Sequence, residues 1–157
     1  RRARKDFDRA VSVYGSIGEQ RGQASTLLLR GDLRRNCGHL RLAAEDYDIA
    51  LNLYKTLGDQ VGEADVYQSL GELAFTTRDY SQARSWYEAA APIYQNHKNI
   101  RGLGNAFAEL GKVCDLLGDE TDAQMYARDA ITIASCDNNS YAMEVARSVL
   151  GQTDAEY

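Results

Sequence analysis

The sequence predicts an all-α fold, a solenoid of antiparallel helix hairpins with about eight helices, and three observations predict it. Glycines recur at an interval of forty: Gly31, Gly71, Gly111 and Gly151 form one column, and Gly22, Gly62 and Gly102 form another. Alanines and aromatics keep the same interval, with Ala3, Ala43, Ala83 and Ala123, then Ala10, Ala50, Ala90 and Ala130, and then Phe7, Tyr47 and Tyr87. Within a period the apolar residues step by three or four, as in Tyr67, Leu70 and Ala74 and then Tyr80, Ala83, Tyr87, Ala90 and Tyr94, which is helical spacing. A fixed period of this length marks a repeat architecture, because each unit buries its apolar face against its neighbours.

Two helices fill each period. Turn chemistry separates the helices of a pair at Gly38, at Arg78 and Asp79, and at Gly118 and Asp119, and separates the pairs at Gly58 and Asp59 and at Asn138 and Asn139. The spacing predicts helices over 1–18, 21–37, 40–57, 61–77, 80–97, 101–117, 120–136 and 140–151. In this register 1–20 is the second helix of a truncated repeat, 21–60, 61–100 and 101–139 are full repeats, and 140–157 is a terminal helix and tail. A chain that opens on Arg1 without an initiator methionine is expected to be processed or cut from a larger protein. Where the helices of a hairpin cross, Ala64, Gly71, Ala83 and Ala90 let the backbones approach while Tyr67, Leu70, Tyr80 and Tyr87 fill the flanks.

The segment Ala64, Tyr67, Leu70, Gly71, Tyr80, Ala83, Tyr87, Ala90 resembles the tetratricopeptide signature, and the link from Leu57 to Ala64 resembles the forty-residue class of that family. That class includes Pins, kinesin light chain and the repeat arrays of bacterial signalling proteins. The resemblance implies a right-handed superhelix whose first helices line a concave groove. Departures from the pattern are Arg30, which stands in the column of Leu70 and Leu110, and Pro92, inside the helix over 80–97, where a kink is expected. Lys98 replaces the cap glycine, and Asn99 is expected to take over the turn.

Composition excludes several classes. Apolar residues make up 44% and charged residues 26%, too apolar for a disordered chain and too polar for a membrane protein. No apolar run reaches the ~18 residues of a membrane span, so a soluble, cytoplasmic protein without membrane insertion is expected. Cys37, Cys114 and Cys136 lie far apart and are odd in number, which fits free thiols. The net charge of −5 argues against nucleic acid as a partner. Its distribution is uneven, with eleven Lys and Arg against eight Asp and Glu in 1–60, and seven against fifteen in 61–157.

Chemistry is mostly missing. His39 and His97 fall at helix ends with no metal-ligand spacing. The stretch from Gly104 to Lys112 has its glycines too far apart for a phosphate loop, and Val113 stands where Ser or Thr would hold magnesium. Asp119, Glu120 and Asp122 open a helix and complement its dipole. The tyrosines occupy core columns. The expectation is therefore a binding protein and no enzyme, with no cofactor and no metal.

Helical geometry turns one set of first-helix residues away from the hairpin core: Ser25, Leu28, Asp32 and Arg35; Asp65, Gln68, Glu72 and Phe75; Asn105, Ala108, Lys112 and Asp115. These are the expected groove residues. Their mixed charge, with Leu28 and Phe75 among them, suits a protein or peptide segment with apolar anchors and some basic residues. Family members that seize a terminal carboxylate use a Lys/Asn clamp here, and Asp32 and Glu72 stand where the Asn would be. Two further expectations are a regulatory sensor arm of a larger signalling protein and self-association through the truncated repeat ends. If the register is right, Gly71→Leu overpacks the crossing by about 1–3 kcal/mol, and its thermal midpoint, followed by circular dichroism, falls clearly below that of the unmodified protein.

Overall fold

The computed structural model describes the backbone of residues 2–153 and the side chains of 5–151; the tail over 154–157 lies outside the described residues. It contains α1 (Arg2–Ser16), α2 (Gln20–Asn36), α3 (Leu40–Leu57), α4 (Gln60–Thr76), α5 (Tyr80–Asn96), α6 (Ile100–Leu117), α7 (Glu120–Asp137) and α8 (Ser140–Thr153), with no strand among the described residues. The chain divides into two compact units, Arg1–Leu73 and Ala74–Tyr157.

All seven connections use one device. A residue with positive φ stands every twenty positions, at Gly18, Gly38, Gly58, Arg78, Lys98, Gly118 and Asn138. The amide of the following residue reaches back five positions, as in His39 N to Arg34 O (2.8 Å), Asp79 N to Ala74 O (2.9 Å) and Asn139 N to Ala134 O (3.0 Å). This is the hydrogen bond that closes a helix through a left-handed residue. The same following residue opens the next helix: Asp59 accepts from Gly62 N, Asp79 from Gln82 N and Asn99 from Gly102 N, each near 3.0 Å. The handover expected at Lys98 is thereby corrected. Lys98 itself adopts the left-handed conformation (φ 55°), and Asn99 caps the amino end of α6 instead.

In unit Arg1–Leu73, α1 and α3 pack on α2 around a core of Ala24, Leu27, Ala43, Tyr47, Ala50, Tyr54 and Val66. The glycine columns work by removing Cβ atoms. A Cβ on Gly31 would lie 2.5 Å from the Tyr47 ring, and one on Gly62 would lie 2.3 Å from the Tyr54 ring. Both rings are buried, so neither can swing away, and burying a ring of this size stabilises by roughly 1.5–3 kcal/mol. Arg30, the departure from the leucine column, is matched by Asp46 on α3. The Asp46 carboxylate is 1% exposed and accepts from Arg30 Nε (3.0 Å) and Nη2 (2.6 Å), while Arg34 Nη1 stands 2.7 Å away. Arg30 also reaches Asp8 on α1 at 2.8 Å. A polar cluster thus replaces apolar contact, and all of its charges are paired.

In unit Ala74–Tyr157, α6 packs against α5, α7 and α8. The core joins Ala74, Ala83, Tyr87, Leu110 and Val113 on one side and Ala123, Ala127, Ala130, Ala134, Ala142, Ala146 and Val149 on the other. Ala127 occupies the column of Tyr47 and Tyr87, and here Gly111 meets backbone instead of a ring: its Cβ would lie 3.2 Å from Ala123 O and Ala127 N. Arg84 on α5 ties down the start of α7, with Nη1 at 2.7 Å from Asp119 and Nη2 at 2.8 Å from Asp122, and bonds Glu88 on its own helix. Helix α5 continues four residues past Pro92, which is exposed. Since a non-glycine residue is strained in the left-handed region by about 1 kcal/mol, Lys98→Gly is expected to raise the midpoint of urea unfolding without changing its slope.

Candidate functional site

Three of the expected groove residues of the first unit, Asp32, Arg35 and Glu72, are engaged by protein partners. Tyr47 Oη donates to Asp32 at 2.7 Å, and burial together with the Asp32 charge pushes the phenol well above its ordinary range. Arg35 pairs with Glu72 across α2 and α4. Ser25 is exposed, Leu28 is half-buried against the core, and Asp65 and Gln68 are half-buried on α4. The Gln68 side-chain oxygen is buried and accepts no hydrogen bond among the described residues. Such a face is mostly polar, with Asp32, Arg35 and Glu72 already bonded.

The second unit is different. Phe75, at the end of α4, packs against Tyr80 with ring centroids 5.4 Å apart. Lys112 Nζ sits 4.0 Å over the Phe75 ring and 3.2 Å from Glu109, a carboxylate 2% exposed. Glu109 also accepts from the Tyr141 hydroxyl of α8. Asn105 accepts from Asn139 Nδ2 at 2.7 Å, joining α6 to the start of α8. Ala108 is fully buried with Ala142 and Ala146 in the α6–α8 core. It therefore offers no surface to a partner, because α8 covers the side of α6 on which the helical projection placed it.

These contacts border a cleft of about 660 Å³, lined by Phe75, Tyr80, Lys112, Asp115 and Leu116 and by Tyr141, Glu144, Val145, Ser148 and Val149 of α8. Phe75, Lys112 and Asp115 were expected from the sequence. The α8 residues were missed, although Val145 and Ser148 lie forty positions beyond Asn105 and Ala108 and could have been found by extending those columns. Tyr80, Leu116 and Tyr141 carried no such signal, since their place in the lining depends on how α5, α6 and α8 pack.

Residues 22–96, just under half of the chain, match the family model described as tetratricopeptide repeat. No curated protein gives a match to the chain. Among solved structures it is similar to BtubC (BKLC) from P. vanneervenii, with 24% identity and TM-score 0.76 over 87% of this chain and 57% of that one. It is also similar to PH0952 from Pyrococcus horikoshii, a signal transduction ATPase with numerous domains and a tetratricopeptide repeat sensor, with 23% identity and TM-score 0.80 over 95% of this chain and 23% of that one. A third likeness, to MamA, has 22% identity and TM-score 0.61 over 98% of this chain and 79% of that one. The chain thus spans 57% and 23% of the first two proteins, and at these identities the likeness is one of fold.

Among the described residues no helix is long and apolar enough to cross a membrane, and no group of three or more His, Cys, Asp or Glu residues could hold a metal ion. His39 and His97 are exposed and stand at the start of α3 and the end of α5. Cys37 and Cys136 are exposed, while burial pushes the Cys114 thiol up to about 11. Below that pH Cys114 stays protonated and shielded. Titration of the native protein at pH 8 with a thiol-reactive disulfide is therefore expected to show two fast thiols, with the third released only by denaturant.

Proposed function

We propose that the chain is a protein-interaction module that holds a segment of a partner protein against the inner residues of its first helices. The observation that carries this reading is the cleft in Ala74–Tyr157, where six apolar or aromatic side chains, Phe75, Tyr80, Leu116, Tyr141, Val145 and Val149, border one open space. Apolar side chains left around a concave space of this size favour an apolar occupant, since each such group removed from water contributes about 25 cal/mol per Å². Of the expected groove residues, Phe75, Lys112 and Asp115 form part of this wall and Asn105 lies on the same helix α6, while Ser25, Leu28, Asp32, Arg35, Asp65, Gln68 and Glu72 are proposed as partner-facing residues of Arg1–Leu73 taken by itself. Ala108 is not among them.

A second reading, a regulatory sensor arm in a larger signalling protein, is favoured by the likeness to the PH0952 fold, a protein with a tetratricopeptide repeat sensor. In that case the occupant of the cleft is another part of the same protein, and a ligand shifts the balance between the bound and free states.

Ser148 is exposed on α8 at the cleft wall, so Ser148→Trp fills the cleft without entering the core. In a quantitative pull-down from lysate, the variant is expected to lose most of the proteins that the unmodified chain retains, whereas Arg128→Glu, on exposed α7 surface, retains them. Identical retention by the Ser148→Trp variant would count against the cleft as the binding site.

A further inference from the structure

We infer, building on the function proposed above, that the segment received by the cleft carries a Lys or Arg close beside its large apolar side chain. The cleft's charges decide this. Lys112 is the one cation in the lining, and its charge is already answered: Nζ lies 3.2 Å from Glu109 and 4.0 Å over the Phe75 ring. Glu109 is 2% exposed and also accepts from Tyr141, so the Lys112 and Glu109 charges cancel locally. Two carboxylates of the lining are left, Asp115 on α6 and Glu144 on α8, and neither forms an ion pair among the described residues.

The balance within the cleft is therefore two uncompensated negative charges beside an apolar wall. The wall receives an aliphatic or aromatic side chain, and the carboxylates favour a cation placed within a residue or two of it. An acidic segment meets like charge, and Lys112 is not available to offset it, because leaving Glu109 would strand a buried carboxylate. Complementary charge at such a rim contributes more to choice of partner than to raw affinity. Lys112 and Glu109 are thus positioning residues for the wall, and Asp115 and Glu144 set specificity.

The test is selection from a random twelve-residue peptide display library, panned in parallel on the unmodified protein, on Ser148→Trp and on an Asp115→Lys, Glu144→Lys double variant, each checked for unchanged helicity. Peptides retained by the unmodified protein and lost on Ser148→Trp are expected to show Lys or Arg beside Trp, Phe, Leu or Ile, enriched about five-fold over the input, a size suited to an exposed ion pair. On the double variant the enrichment is expected to move to Asp and Glu. Cleft-dependent peptides with apolar residues but no basic bias, or with an unchanged bias on the double variant, overturn the charge inference and leave the binding site standing. Peptides indifferent to Ser148→Trp, or none retained at all, overturn the site itself.

Discussion

A tyrosine ring lying on a glycine backbone is the contact on which the rest of the structure depends. Tyr47 occupies the space that a Cβ on Gly31 would need, Tyr54 does so at Gly62, and Tyr94 at Gly102, each less than 3 Å from the missing atom. A ring cannot sit that close to any residue with a side chain, so each pairing fixes the register of two helices. Dispersion and burial then act over the whole ring face, and interiors packed at this density do not tolerate a shift. Where Ala127 replaces the ring, the approach is between backbones, with Gly111 facing Ala123 and Ala127 directly. Once the hairpin faces are locked in this way, the opposite sides of the first helices are left as the surface that a partner could meet.

The two units use that surface differently. In Arg1–Leu73 several polar side chains pair with one another: Tyr47 binds Asp32, Arg35 binds Glu72, and Asp46 holds Arg30 and Arg34. In Ala74–Tyr157 the Lys112–Glu109 ion pair and the Tyr141 hydrogen bond lie at one wall of the cleft, and apolar residues border the remaining space. A buried carboxylate with several donors is costly to assemble and costlier to break, so both arrangements make the faces on which they lie resistant to rearrangement. The difference lies in what they leave open.

Much of the fold could be read from the sequence because the period was strict. Seven glycines and two alanine columns set the repeat, and every expected helix end falls within two residues of its observed position. What could not be read depended on replacements that act in pairs. Arg30 looked like a defect in the leucine column, and only the structure shows Asp46 opposite it; no spacing rule links positions 30 and 46. Asn99 was expected to take over the turn from Lys98, yet Lys98 itself is left-handed, and the bond from Asn99 N to Tyr94 O holds it there. The site was partly legible for the same reasons. Phe75, Lys112 and Asp115 follow from helical projection, whereas Ala108 is covered by α8, and Tyr141 enters the lining through a helix that the projection had not used.

Helix α5 combines three features that elsewhere occur singly or not at all. It follows left-handed Arg78 and precedes left-handed Lys98, both outside the residue types that favour this conformation, and it contains the chain's one proline. Each raises the free energy of the folded segment relative to its unravelled state, by about 1 kcal/mol for a left-handed residue and more for a proline within a helix. No other helix among the described residues is flanked in this way. The cost of folding is therefore spread unevenly along the chain, and the α5 segment carries more of it than the helices on either side.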